Sequence, residues 1–196
     1  VHAWKFSDIN LMISDEIHAG SKIQYHRNIQ DRVHKLVPFL ELDSDPYIVL
    51  HDGKLKWIQD AYTLSNNFPY SEPTEGKFNY IRNSVKAVID AYDGTVKFYV
   101  ADNSDPLIDT YSKIFPNIFR PLSEMPPDLR EHIRYPIDIF KAQSNKYLEY
   151  HMQDSQIFYN NEDLWNIPQE KFGQSAELQK VEPYYLVMSL PGNKDT

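Results

Sequence analysis

The chain has 196 residues and a mass of 23.1 kDa, with 20 basic and 28 acidic side chains, 14 Tyr, 7 His and no Cys. That length supports one domain with a real core. A net charge of −8 with no basic run interleaved with aromatics excludes a surface that follows phosphates, so neither nucleic acid nor recruitment to an anionic membrane is expected, and the lack of Cys excludes disulfides, zinc thiolates and cysteine nucleophiles.

Taken in order, His2 to Ser14 carries Trp4, Phe6, Ile9, Leu11 and Ile13 and reads as an edge strand or extended arm, with residues 1–20 extended or frayed. Asn28 is placed to cap a helix whose apolar positions are Ile29, Val33, Leu36 and Val37, ending near Pro38. Asp52-Gly53 predicts a two-residue hairpin in which Leu50 faces Leu55, Ile48 faces Trp57, Val49 faces Lys56 and Tyr47 faces Ile58. Ser65 to Lys77 is rich in Asn, Pro and Ser and reads as a loop that is long for a passive connection.

Asp93-Gly94 predicts a second hairpin at the centre of the domain. A two-residue turn there pairs Asp90 with Lys97, Ile89 with Phe98, Val88 with Tyr99 and Ala87 with Val100. One face then carries only Ala87, Ile89, Ala91, Val96, Phe98 and Val100. The fragments DGKLKWI and DGTVKFY match in step, which fits either a duplicated hairpin or convergence on good turn chemistry.

Beyond it, Ser104 or Asp105 caps a helix opened by Pro106, with Leu107, Ile108, Tyr111, Ile114 and Phe115 on one stripe. Pro126-Pro127 opens a short helix, and Pro136 a longer one with Ile137, Phe140, Tyr147, Leu148 and His151 on its inner face. A sharp turn at Asn160-Asn161 is expected to carry Phe158 and Trp165 over the core. Pro183 to Leu190 reads as a final central strand, and residues 191–196 as frayed. The fold class is therefore α+β: an antiparallel sheet built from two Asp-Gly hairpins and a C-terminal strand, with helices packed on one face.

Motifs for chemistry are scarce. No HExxH, GxSxG, P-loop or GxGxxG occurs, and the 6 Gly build no phosphate cradle, so no metal, nucleotide or other cofactor is expected and no catalytic residue is assigned. Asp90, Asp93, Asp102 and Asp105 read as turn, cap and pairing residues, because a calcium loop needs a different spacing. The Tyr-rich composition suits either a wet-edged interface or a core boundary. Arg120, Arg130, Arg134 and Tyr135 are the candidate partner-binding residues, in a proline-rich segment that is either a rigid recognition loop or a helix connection whose arginines pair with Glu124, Asp128, Glu131 and Asp138.

The fragments NYIRNSVKAVIDAYDGTVKFYVAD (79–102) and PLSEMPPDLREHIRYPIDIFKAQ (121–143), supported by LDSDPY, WIQDAYT, FPYSEP, DPLIDTYSKIFP and IFYNNEDLW, resemble uncharacterised protein family 0182. That resemblance covers most of residues 20 to 190. It implies a soluble portion of a large bacterial multi-pass membrane protein, expected outside the cytoplasm at the cell membrane, and supplies no catalytic residues. No apolar run in the chain reaches the length of a membrane-spanning helix, and a start at Val1 rather than Met fits a fragment. AVIDAYDGTVKFYV is also similar to PepSY and cystatin-like extracytoplasmic modules. The leading expectation is a non-enzymatic module that binds a cell-wall polymer, a peptide or a partner subunit, next to its own transmembrane region. The alternatives are an extracytoplasmic hydrolase using carboxylates and His, or a protease-regulating module.

Overall fold

The computed structural model describes residues 25–74, 78–171 and 177–188, together with residues 13, 15, 18, 20 and 21. The predicted N-terminal strand, apart from Ile13, and the 191–196 tail lie outside these. Helix α1 (Ile29–Leu36) begins where the Asn28 carboxamide oxygen accepts from the amides of Gln30 and Asp31, at 2.9 and 3.3 Å. Strands β1 (Glu41–Leu42), β2 (Tyr47–His51), β3 (Lys54–Ser65), β4 (Tyr80–Asp90) and β5 (Val96–Val100) follow. Then come α2 (Pro106–Ile114), β6 (Phe119–Pro121), a 3-10 turn at Leu122–Glu124, α3 (Pro127–Glu131), α4 (Ile137–Tyr150), α5 (Ser155–Asn160), and a separate ribbon of β7 (Gln169–Lys171) and β8 (Leu178–Lys180).

The two long strands β3 and β4 lie antiparallel at the centre. The free edge of β3 is shared by β2 and β1, β5 continues the sheet beyond β4, and β6 adds to β5 in parallel. The α+β class and the mostly antiparallel sheet stand as expected.

The β2–β3 hairpin has the register expected from its turn, Leu50 against Leu55 and Ile48 against Trp57. Asp52 and Gly53 both have positive φ, 49° and 69°, as a type I′ turn requires. The β4–β5 hairpin differs by two residues. Ile89 faces Val96, Val88 faces Lys97 and Ala87 faces Phe98. The cause is Asp90, whose carboxylate accepts from the amides of Tyr92 and Asp93 at 2.8 and 3.1 Å, while the Gly94 amide reaches back to the Asp90 carbonyl at 2.9 Å. This makes a four-residue loop in which only Gly94 is left-handed. A shift of two preserves the faces, so the predicted apolar face survives except for Ala91, which falls exposed in the loop, while Asp90 pairs with Lys56 of β3 instead of Lys97.

Helices cover both faces of the sheet, where one face was expected. On the first, Val33 and Val37 at the end of α1 and Ile108 of α2 pack on Ala61, Val85, Ala87, Ile89 and Phe98. On the second, Met125 and Leu129 close over Tyr47, Val49, Ile58, Val88 and Tyr99. Val88, Ile58 and Val49 give the second face a core of its own beside Asp90 and Lys97, and six successive residues of β3 (Ile58–Thr63) are buried as in a strand covered on both sides.

Two expectations about the C-terminal part are corrected. Pro183–Met188 forms no strand; it runs exposed, its Tyr185 ring held by Arg134. Asn161 does turn the chain in a left-handed conformation, but Trp165 is half exposed and stacks on His151 at the end of α4, with a centroid separation of 3.8 Å, rather than covering the sheet.

Candidate functional site

Between β1 and β2 the chain makes a tight Asp-Ser-Asp-Pro corner, and its first carboxylate organises one end of the second sheet face. Asp43 is buried and accepts from the Tyr62 hydroxyl, from the Asp45 amide at 2.9 Å and from the Asp138 amide at 3.0 Å. Asp138, in the first turn of α4, returns the contact by accepting from the Ser44 amide and hydroxyl, both at 2.7 Å. Each carboxylate thereby satisfies backbone donors of the other segment, which pins α4 to the corner. The Asp43 carbonyl accepts from Gln59 Nε2 at 2.8 Å and Gln30 Nε2 at 3.2 Å, so the same corner also holds β3 and α1.

On the same sheet face Asp60 and Lys86 form a buried ion pair, and Asn83 Nδ2 donates to the same Asp60 oxygen at 3.1 Å. Burial raises the Asp60 pKa, with Lys86 opposing the rise. Burial, then the hydrogen bond to Asp43, pushes the Tyr62 phenol far above its usual range, so it remains a proton donor. Asp43 and Asp60 are closed off from solvent at 1% and 2% exposure, which makes them supports for the site and removes them from contact with any substrate.

Above this layer a cleft of about 620 Å³ opens between the far end of β3–β4 and the start of α4. Leu42, Tyr62, Leu64 and Ile81 give it apolar walls, and Glu41 and Asp138 supply carboxylates, with no Lys or Arg among the described lining residues. Glu41 projects from β1 opposite Tyr62 and makes no ion pair among the described residues. Such an arrangement has the chemistry to receive a cation carried on an apolar stem.

The residues singled out from the sequence do not form one site. Arg120 is exposed beside Glu124, at 3.8 Å. Arg130 donates to the carbonyls of Leu122, Ser123 and Met125 at 3.2, 3.4 and 3.1 Å. Arg134 lies between the rings of Tyr47 and Tyr185, 4.4 and 4.8 Å from their centroids, and its amide donates to the Tyr47 hydroxyl at 3.1 Å. Tyr135 donates to Gln143 Oε1 at 2.5 Å. Arg134 and Tyr135 therefore adjoin the Asp43–Asp60 network, while Arg120 and Arg130 lie away from it.

Another grouping escaped the sequence because its members are far apart in the chain. His51 Nδ1 is 2.5 Å from Asp128, and its Nε2 is 3.6 Å from Asp52. The His51 hydrogen bond holds the Asp128 carboxyl below its ordinary range. One ligand atom from each of these three groups lies within 4.8 Å of the others, close enough to be considered for a metal, and with each carboxylate on a different nitrogen of the ring they also bridge the β2–β3 tip to α3. A visible signal for the main site was present in the sequence: Asp60 in the middle of the apolar run WIQDAYT demanded a buried partner. Lys86 and Asn83, on the next strand, supply it.

A family model described as Uncharacterised protein family (UPF0182) matches residues 1–196. A UPF0182 protein of Pelotomaculum thermopropionicum is 55% identical over 190 residues, which cover 97% of this chain and 21% of the relative. One from a Sulfurovum species is 54% identical over 201 residues, covering 100% of this chain and 22% of the relative. One from Trichodesmium erythraeum is 47% identical over 212 residues, covering 98% and 23%. The chain thus spans about a fifth of the length of the curated relatives it matches. No solved structure matches it. With its whole length matched by the family model and by these relatives, the chain belongs to the uncharacterised protein family UPF0182.

Proposed function

We propose that this domain is a non-enzymatic binding module of a larger protein, and that its cleft receives a lysine- or arginine-bearing segment of a peptide or partner subunit. The observation that carries the reading is the cleft itself: two carboxylates at an apolar trough with no cation among its described lining residues. The ammonium or guanidinium would lie against Glu41 and Asp138, its methylene stem along Leu42, Leu64 and Ile81. The proposed setting, outside the cytoplasm at the cell membrane in a multi-pass protein, rests on the family resemblance of the sequence. The described helices include none long and apolar enough to cross a membrane.

The test is fluorescence anisotropy with labelled Gly-Ser peptides carrying two Lys, two Arg or two Gln. Lys and Arg peptides are expected to bind more tightly than the Gln peptide, with affinity falling as salt rises. Glu41→Gln is expected to weaken that binding about tenfold, about 1.4 kcal/mol, without changing the denaturant midpoint. Equal affinity for all three peptides would rule the reading out.

A further inference from the structure

From Ile137 to Met188 no described residue is buried as a whole, although the His151 side chain, beneath Trp165, is only 8% exposed. α1, α2 and α3 each bury an apolar residue, whereas α4, fourteen residues long and carrying Ile137, Ile139, Phe140, Tyr147 and Leu148, buries none. Phe140, Tyr147 and Tyr150 are each about half exposed, and Trp165 beside them is similar. Every position of the β7–β8 ribbon is exposed, and two-stranded ribbons are marginal without a packed face. Arg134 fixes Tyr185 in place, yet Tyr184 and Val187 on either side are 77% and 75% exposed. Ordering a helix, a ribbon and an arm costs conformational entropy that burial must offset, and this part of the molecule has too little burial of its own to do so. The sheet half, with two apolar clusters, is complete by comparison.

We infer that the face formed by α4, Trp165 and the 183–188 arm is a docking surface for the remainder of the same polypeptide, contributed by apolar segments outside the matched stretch. About four-fifths of each relative lies outside the part this chain matches, so a covalently attached partner accompanies the face in every molecule. Attachment gives that partner an effective concentration on the order of millimolar, above what a second copy or a separate protein reaches in a cell. The patch also has the composition of an interface core, with Phe140, Tyr147, Trp165 and Tyr184 all exposed on it.

The test places this chain in the Pelotomaculum thermopropionicum protein, in exchange for the stretch it matches. Benzoylphenylalanine replaces Phe140, Tyr147 or Tyr184 one at a time, with Lys35 on α1 as the control position. After irradiation in cells, cross-links from the three test positions are expected within the same polypeptide, to residues beyond the exchanged stretch, and not from Lys35. Cross-links to a second copy, cross-links to other proteins, or none beyond the Lys35 pattern would each overturn the inference. If the exchanged protein is not recovered, the label goes to the aligned positions of the unaltered relative, where the same result is required.

Discussion

Four donors converge on the carboxylate of Asp105 at the start of α2. The hydroxyls of Thr63 and Ser84 approach to 2.5 Å, that of Tyr80 to 2.8 Å and the Leu107 amide to 3.0 Å. One buried side chain thus joins β3, β4 and α2 while capping the helix. Burial alone would raise its pKa, but the bonds from Ser84, Thr63, Tyr80 and Leu107 together hold it below the usual carboxylate range. A folded-state pKa below the unfolded value means that Asp105 stabilises the domain above about pH 3.9 and loses that contribution as the pH falls through its folded pKa. Asp60 runs the other way, since its raised pKa favours the folded form as the pH falls. Asp105→Asn turns one acceptor into a donor facing hydroxyls that already donate. It should cost about 2–3 kcal/mol at pH 7, read from urea midpoints, and the gap to the parent protein should narrow by pH 3. A gap unchanged between pH 7 and 3 would mean the carboxylate's charge is irrelevant. From the sequence, Asp105 was one of two possible caps; its links to Thr63 and Ser84, 42 and 21 residues earlier, depend on strand pairing that local pattern does not encode.

The segment from Arg120 to Tyr135 divides, element by element, the two roles that its composition left open. Arg130 closes the 3-10 turn onto α3 through three carbonyls, whereas Arg134 holds an arm of the chain against Tyr47. Arg130→Ala is therefore expected to lower global stability by about 1 kcal/mol, measured by the denaturant midpoint. Arg134→Ala should leave that midpoint nearly unchanged but release the Tyr185 ring, read as a shift of its NMR resonances toward those of a free tyrosine. The reverse assignment of effects would show that the two arginines have been given the wrong roles. Legibility follows the same division. The β2–β3 register was readable because Asp52-Gly53 fixes it locally. That of β4–β5 slipped by two because the Asp90 carboxylate competes for the turn amides, a choice between loop geometries that differ by a hydrogen bond or two. Pro183–Leu190 looked like a central strand because apolar residues mark burial without saying what buries them.

Across the whole molecule, packing is unevenly distributed. Val33, Ile58, Val85, Ile89 and Ile108 are essentially inaccessible, while the chain from Ile137 onward has no buried residue among those described. Local opening follows burial and buried hydrogen bonding, so the two parts should not share one stability. Amide exchange of the isolated chain is expected to be slowest in β3 and β4, near the global unfolding limit. In α4 protection should decrease from the Asp43-anchored start toward Tyr150, and it should be least in β7 and β8. Within a full-length relative, the stretch aligned with 137–188 should gain protection by at least tenfold, about 1.4 kcal/mol in opening free energy, while the aligned β3–β4 core changes little. Uniform protection throughout the isolated chain would show that α4 and the ribbon already have enough packing to fold with the sheet, and would remove the reason for seeking a cover. A gain confined to the sheet would place the contact on the opposite face, over Ile48, Leu50 and Leu55, the exposed apolar residues of the β2–β3 hairpin.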